Sequence, residues 1–209
     1  MRIKIVYDNV AYRNDMEADW GFSAYIEDFK ILFDTGAKGD ILLRNMKKMG
    51  IDATEIEEIF ISHGHWDHTG GLGELLNLND ELTIYVPQSY RLKAKNVIPI
   101  KDATKLHDNI FSTGELSGIE QSMVIELNGK LVVMVGCSHP GIGQIMEAAS
   151  QFGKPYALIG GLHGFNEYEL LEPLEIVVPI HCTQHKKEIK EMYPEKYIDG
   201  GAGKIIEIE

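Results

Sequence analysis

The chain has 209 residues, which fits one domain with a sizeable core or two very small ones, and its 44% hydrophobic and 25% charged content is ordinary for a globular protein. Its formal net charge of −12 argues against a nucleic-acid partner, because no basic stripe offsets the acidic surface. No apolar stretch is long enough to span a bilayer, and the first residues lack a signal peptide's apolar core, so the expected compartment is the cytoplasm.

In chain order, residues 2–7, 22–26 and 30–33 read as successive strands, with a polar loop over 11–19. The spacing of Leu42, Met46 and Met49 predicts a helix over 40–49, ended by Gly50. Residues 58–62 form a short apolar run, a buried strand. A loop, a turn and a helix through Leu72, Leu75 and Leu76 follow. Residues 82–86 read as a strand, and 88–105 as mixed helix and loop. Strands are expected at 109–112, 123–127 and 131–135, the last two joined by Asn128-Gly129 as a type I′ hairpin. Residues 140–152 predict a helix with Pro at its start, and Ile142, Ile145, Met146, Ala149 and Phe152 form its core stripe. Strands at 156–159 and 174–178, a short helix at 184–192 and a strand at 204–208 complete the chain.

The chemistry concentrates in His63-Gly64-His65-Trp66-Asp67-His68. Three imidazoles and a carboxylate within six residues are the donors that suit zinc and similar divalent ions. The segment sits at the carboxyl end of a strand, where α/β sheets place their ligands. Alternate side chains of an extended loop point the same way, so His63 and His65 can face one ion. Trp66 then points away, as a wall of the site or, more simply, as a core aromatic.

Of the 8 histidines, only His107 falls outside four local groups. His139, His163 and His181 each follow an apolar run, with Gly136, Gly160-Gly161 and Pro179 close before them. A single histidine at a strand end is usually a hydrogen-bonded surface or core residue. Four such positions in one context point to a metal centre. The 2 cysteines, Cys137 and Cys182, each lie near one of these histidines and read best as buried thiols, ahead of a disulfide or a ligand role.

His63-x-His65-x-Asp67-His68 followed by Gly70-Gly71, with His139 and His181 later, resembles the metallo-β-lactamase superfamily. Phe33-Asp34-Thr35-Gly36 is similar to its early strand-turn motif, whose Asp supports the metal loop from behind. Gly136-Cys137-Ser138-His139-Pro140-Gly141-Ile142, Gly160-Gly161-Leu162-His163 and Pro179-Ile180-His181-Cys182-Thr183 resemble one branch. That branch holds small metal-dependent hydrolases and archaeal dihydropterin–ribofuranosylaminobenzene 5′-phosphate synthase-like proteins. The resemblance implies an α/β (α+β) fold, a four-layer αββα sandwich with helices outside two sheets, as a single domain over 1–209.

It also implies that His63, His65 and His139 hold one ion and Asp67, His68 and His181 a second. Zinc is the first expectation, as one or two divalent ions, with manganese or iron as alternatives. The implied activity is hydrolysis, in which a metal-bound hydroxide attacks an ester, lactone, amide or phosphoester of a small molecule. The alternative is a transferase joining a dihydropterin to a ribofuranosylaminobenzene phosphate. A redox di-iron role fits less well, because His65 stands where those relatives usually carry Glu. Partners are expected to be a small-molecule substrate, with no nucleic acid and no membrane; the oligomeric state is not readable.

One departure stands out. Most dinuclear members carry a bridging Asp in a Gly-Asp motif, and here the strand 157–159 leads into Gly160-Gly161. His163 is therefore a candidate ligand, proton donor or substrate contact, and with Asp67 a candidate catalytic group. His185, four residues after His181, and Lys186 are candidate substrate contacts. Helix capping or a surface role for His185, and plain solvation for the lysine, are the simpler readings.

Overall fold

Short runs of β-prone residues build two mixed sheets in a computed structural model that describes residues 1–209. They belong to two units, Met1–Pro99 with Gly201–Glu209, and Ile100–Gly200.

The first unit's sheet comprises β1 (Arg2–Tyr7), β2 (Ser23–Ile26), β3 (Ile31–Phe33), β4 (Glu58–Phe60), β5 (Thr83–Pro87), β6 (Asn96–Ile100) and β13 (Ile205–Glu207). The spatial order is β13-β1-β2-β3-β4-β5-β6. β1, β2 and β3 pair antiparallel, whereas β3, β4 and β5 run parallel with Phe33 opposite Phe60. Residues that follow β3 and β4 therefore emerge side by side at one edge, the place open α/β sheets use for ligands.

Helix α1 (Gly39–Lys48) connects β3 to the segment before β4; α2 (Trp66–Thr69) and α3 (Leu72–Leu78) lie between β4 and β5. Leu42 and Met46 of α1 and Leu75 of α3 pack with Val6, Leu32, Ile59 and Ile84 of the strands. Each such side chain contributes about 1.5–3 kcal/mol by leaving water. The alternate strand face carries Phe33 stacked on Phe60, centroids 5.5 Å apart.

The second unit's sheet comprises β7 (Thr104–His107), β8 (Ile110–Ser112), β9 (Met123–Leu127), β10 (Lys130–Val135), β11 (Pro155–Gly161) and β12 (Ile176–Ile180), in the order β12-β11-β10-β9-β8-β7. β7 to β10 form an antiparallel meander, and β10, β11 and β12 run parallel. Asn128 and Gly129 have φ of 53° and 80°, the positive values that a type I′ turn needs. Helix α4 (Ile142–Ser150) buries Ile142, Ile145 and Ala149 against Val133, Val135 and Leu158; α5 (Lys186–Met192) contributes Ile189. The parallel register sets Val135 opposite Gly160 and Gly161 opposite Ile180. Three consecutive strand ends thus release residues 136–139, 162–164 and 181–184 at one edge.

Four details differ from the sequence reading. Residues 88–105 hold no helix but strand β6 and the start of β7. The strand is hidden because Pro99 separates Val97-Ile98 from Ile100, and a proline is tolerated there because β6 is an edge strand. Residues 66–69 form one helical turn rather than a continuing extended loop. Helix α4 starts at Ile142, because Gly141 sits at φ 92°. Helix α5 starts at Lys186, so His185 is its N-cap and does not share a helical face with His181. No helix is long and apolar enough to cross a membrane.

Asn45 anchors the loop over residues 11–19 to α1. Its buried side chain donates to Val6 O (2.9 Å) and Glu17 O (2.8 Å) and accepts from Glu17 N (3.0 Å). Arg44 and Lys48 beside Glu17 hold its carboxyl down to about 2. Asn45→Ala removes three hydrogen bonds, two of them to backbone carbonyls, and is expected to cost about 2–4 kcal/mol. Urea denaturation measures this; a midpoint equal to that of the parent would refute the anchoring role.

Candidate metal centre

In the first unit the hexapeptide is organised by Asp34, which follows β3. Asp34 is fully buried, with φ 52°. Its Oδ1 accepts from Ser62 N (2.7 Å), and its Oδ2 accepts from Ser62 Oγ (2.7 Å) and lies 2.7 Å from His68 Nδ1. A carboxylate only accepts, so the neutral His68 ring carries its proton on Nδ1 and leaves Nε2 as the lone pair. The hydroxyl proton of Ser62 is committed to Asp34, yet Ser62 Oγ also lies 2.9 Å from His63 Nδ1. His63 must then donate from Nδ1, which leaves its Nε2 as a lone pair too. One carboxylate, partly through one serine, thus sets the tautomer of two histidines for metal binding.

His63 Nε2 and His65 Nδ1 are 3.0 Å apart. Two nitrogens on one tetrahedral zinc would be about 3.4 Å apart, given bonds of about 2.1 Å. The rings of His63 and His68 lie 4.1 Å apart. Asp67 and His68 sit on the helical turn α2, with Asp67 Oδ2 3.8 Å from His68 Nε2. Trp20 Nε1 donates to the same Oδ2 at 2.8 Å. Trp66, at 63% exposure, is not the core aromatic expected from its position in the sequence. Gly70 follows because the chain leaves no room: a Cβ there would lie 2.1 Å from Ala37 O.

The second unit repeats the arrangement with a different carboxylate. Glu120 is fully buried. Its Oε1 accepts from Gly136 N, Cys137 N and Ser138 N at 3.0 Å each, and its Oε2 from His139 N at 2.9 Å. The loop that presents His139 is therefore wrapped around one acceptor with charge-assisted bonds. Further bonds tie the neighbouring loops together: Ser138 Oγ to Gly161 O (2.7 Å), Leu162 N to Thr183 Oγ1 (2.9 Å) and Gln184 N to His163 O (2.9 Å). Ser138, His163 and His181 all have positive φ, 60°, 48° and 51°. Such strain costs on the order of 1–3 kcal/mol per residue and gathers where function requires a fixed geometry.

His163 is exposed and its ring lies 5.4 Å from that of His139. Both line a pocket of about 320 Å³ with Ile142, Leu162, Phe165, Asn166 and Glu167. His185 and Lys186 are not among the residues that line it. His185 occupies the N-cap position of α5 without a side-chain capping bond, its Nδ1 3.5 Å from Glu188 Oε1. Cys137 is buried and Cys182 half-buried, and neither forms a disulfide. The Cys182 thiol is pulled down to about 6, first by its hydrogen bond with Cys137 and further by His181 and His163, against the opposing effect of burial. Glu120 and Trp20 are the participants that the sequence reading missed. Neither stands near a histidine cluster in the chain.

A family model described as the metallo-beta-lactamase superfamily matches residues 22–114. The crystal structure of Tm1679, described as a metal-dependent hydrolase of the beta-lactamase superfamily, superposes with a TM-score of 0.79 at 25% identity, over 100% of this chain and 99% of that one. The chain is a metallo-β-lactamase-fold protein. YhfI from Bacillus subtilis, another metallo-β-lactamase-fold protein, superposes with a TM-score of 0.70 at 15% identity, over 98% of each chain. A curated relative from Methanocaldococcus jannaschii is named 7,8-dihydropterin-6-methyl-4-(beta-D-ribofuranosyl)-aminobenzene-5′-phosphate synthase. It is 27% identical across 95% of this chain and 93% of its own length. The metallo-β-lactamase superfamily consists mostly of metal-dependent hydrolases, and this metallo-β-lactamase-fold chain carries His and Cys groups spaced to hold a metal. The two mixed sheets agree with the expected fold class.

Removing a carboxylate should collapse the loop it holds. Glu120→Ala is expected to cost about 3–5 kcal/mol, because four backbone donors lose a charged acceptor. Glu120→Gln, which keeps an acceptor for three of them, should cost about 1–3 kcal/mol. Guanidinium unfolding reads both values. Equal, near-zero losses would mean that the loop stands without Glu120.

Proposed function

We propose that this chain is a metal-dependent hydrolase of a small molecule, opening an ester, lactone, amide or phosphoester bond. The observation that carries the reading is the tautomer control by Asp34. A buried carboxylate that selects, in two neutral histidines, the tautomer with its lone pair on Nε2 has no purpose in core packing and an evident one in ligation. The ligand set implied by the family resemblance is His63, His65 and His139 with Asp67, His68 and His181. Nitrogen and carboxylate donors of this kind favour zinc, with manganese or iron as alternatives. A bound divalent ion would supply Lewis-acid activation of the substrate and lower the pKa of a bound water.

The side chains of this protein would do the rest. Asp67, steadied by Trp20, offers a carboxylate oxygen that can hold a proton during the reaction. His163, on the pocket wall, can deliver a proton to the leaving group or orient the substrate. Phe165, Leu162 and Ile142 supply apolar walls, and Asn166 and Glu167 supply hydrogen-bond acceptors. A pocket of about 320 Å³ suits a small molecule, and the net charge of −12 argues against a nucleic acid.

A transferase is the second reading, favoured by the likeness, at 27% identity, to the archaeal relative named as a synthase. His185 and Lys186 remain proposed contacts for a substrate phosphate, with the lysine half-buried at the start of α5.

The test is a hydrolase panel of nitrophenyl esters, lactones and phosphodiesters, run on chelator-treated protein and after return of zinc or manganese. Chelation should remove at least about 99% of turnover and the metal should restore it, by analogy with metal-dependent hydrolysis in general. Turnover by metal-free protein would refute the reading. Coupled product from the dihydropterin and the aminobenzene ribofuranosyl phosphate, with no hydrolysis on the panel, would favour the transferase. His163→Ala should lower kcat and leave bound metal unchanged if the residue handles protons or substrate.

A further inference from the structure

The family resemblance implies a bridging Asp after residues 157–159 of β11, and here no side chain has room at that place. Gly161 occupies the second place of the Gly-Asp motif. A Cβ on Gly161 would lie 2.4 Å from Gly136 O and 2.7 Å from Cys182 Sγ. A Cβ on Gly160 would lie 1.9 Å from Val135 O. Backbone of β10 and a sulfur atom already fill the space, so these glycines are obligatory in this packing.

The same loops bring a different donor to the region. Cys137 is 4% exposed, and its N–H is fixed on Glu120. Its Sγ lies within 4.8 Å of a ring nitrogen of His139 and within 4.8 Å of a ring nitrogen of His181. In the ligand set implied by the resemblance, those two histidines serve different ions. Nitrogen and sulfur on one tetrahedral zinc are about 3.6 Å apart, from bonds of about 2.1 and 2.3 Å. A single sulfur can also reach two ions about 3.5–4 Å apart.

We propose that Cys137 is a metal ligand whose thiolate bridges the ion on His139 and the ion on His181, in place of the absent Asp. The proposal rests on the metal-dependent reading above. Ligation exchanges an S–H bond for sulfur–metal bonds and releases the thiol proton to solvent, with no change of oxidation state. Cys182 fills the space beside Gly161 and is not a ligand.

The experiment is titration of the metal-free, full-length protein with Co²⁺ alone, followed by absorption spectroscopy. The parent should develop a thiolate-to-cobalt charge-transfer band in the near ultraviolet. Cys182→Ser should keep the band. Cys137→Ser should lose it and bind its weaker cobalt equivalent at least about tenfold less tightly, the scale of effect seen when a metal site is disturbed. X-ray absorption at the zinc edge of the unmutated protein gives a second measurement that needs no variant, with a sulfur scatterer expected at about 2.3 Å. Cobalt bound without the band, a band that survives Cys137→Ser, or a zinc shell of nitrogen and oxygen only would overturn the proposal and leave the hydrolase reading intact. No cobalt bound at all would overturn both.

Discussion

An imidazole offers a lone pair in a fixed direction only if something fixes the proton on its other nitrogen. Asp34 does this for His68 directly and for His63 through Ser62. That demand explains why a carboxylate is buried at the end of β3 at all, a placement that would be costly without several donors to receive it. It also accounts for the backbone of Asp34, which turns into the left-handed region to bring both oxygens under the next strand's loop. The parallel pairing of β3 and β4 is what makes the reach short.

The second unit solves the same problem with Glu120, but acts on the backbone rather than on the rings. Four successive amides converge on one carboxylate, so the loop after β10 has little freedom to refold around a ligand. Rigid loops at the ends of parallel strands are the usual platform for chemistry in α/β proteins. The two units thus arrive at preorganised strand ends by unlike means, one through side-chain tautomers and the other through amide hydrogen bonds.

Local pattern carried most of what could be read in advance. The hexapeptide is contiguous, Asn128-Gly129 declares its turn, and the strands before each histidine are short apolar runs. What escaped depends on distance in the chain. Glu120 is 16 residues before the nearest amide it binds and stands in Gly118-Ile119-Glu120-Gln121, which has no metal-ligand signature. Trp20 is 47 residues from Asp67. Such contacts are set by how strands pair, and a single sequence does not display that pairing. Residues 96–100 were missed for a different reason: their Pro99 is compatible with a strand only at an edge, and edge position is a property of the assembled sheet. Helix α5 begins two residues later than the 184–192 reading, at the kind of boundary that is least legible.

The strand order of the first sheet has a bearing on synthesis. β13 pairs with β1, Arg2 opposite Glu207, although almost the whole chain separates them. A ribosome makes the second unit in full before it makes the strand that completes the first sheet. Until then β1 exposes an unpaired edge, the kind of surface that invites wrong partners. The hexapeptide lies in the connection between β4 and β5, away from that edge, so its loop can assemble while the nascent chain is still growing.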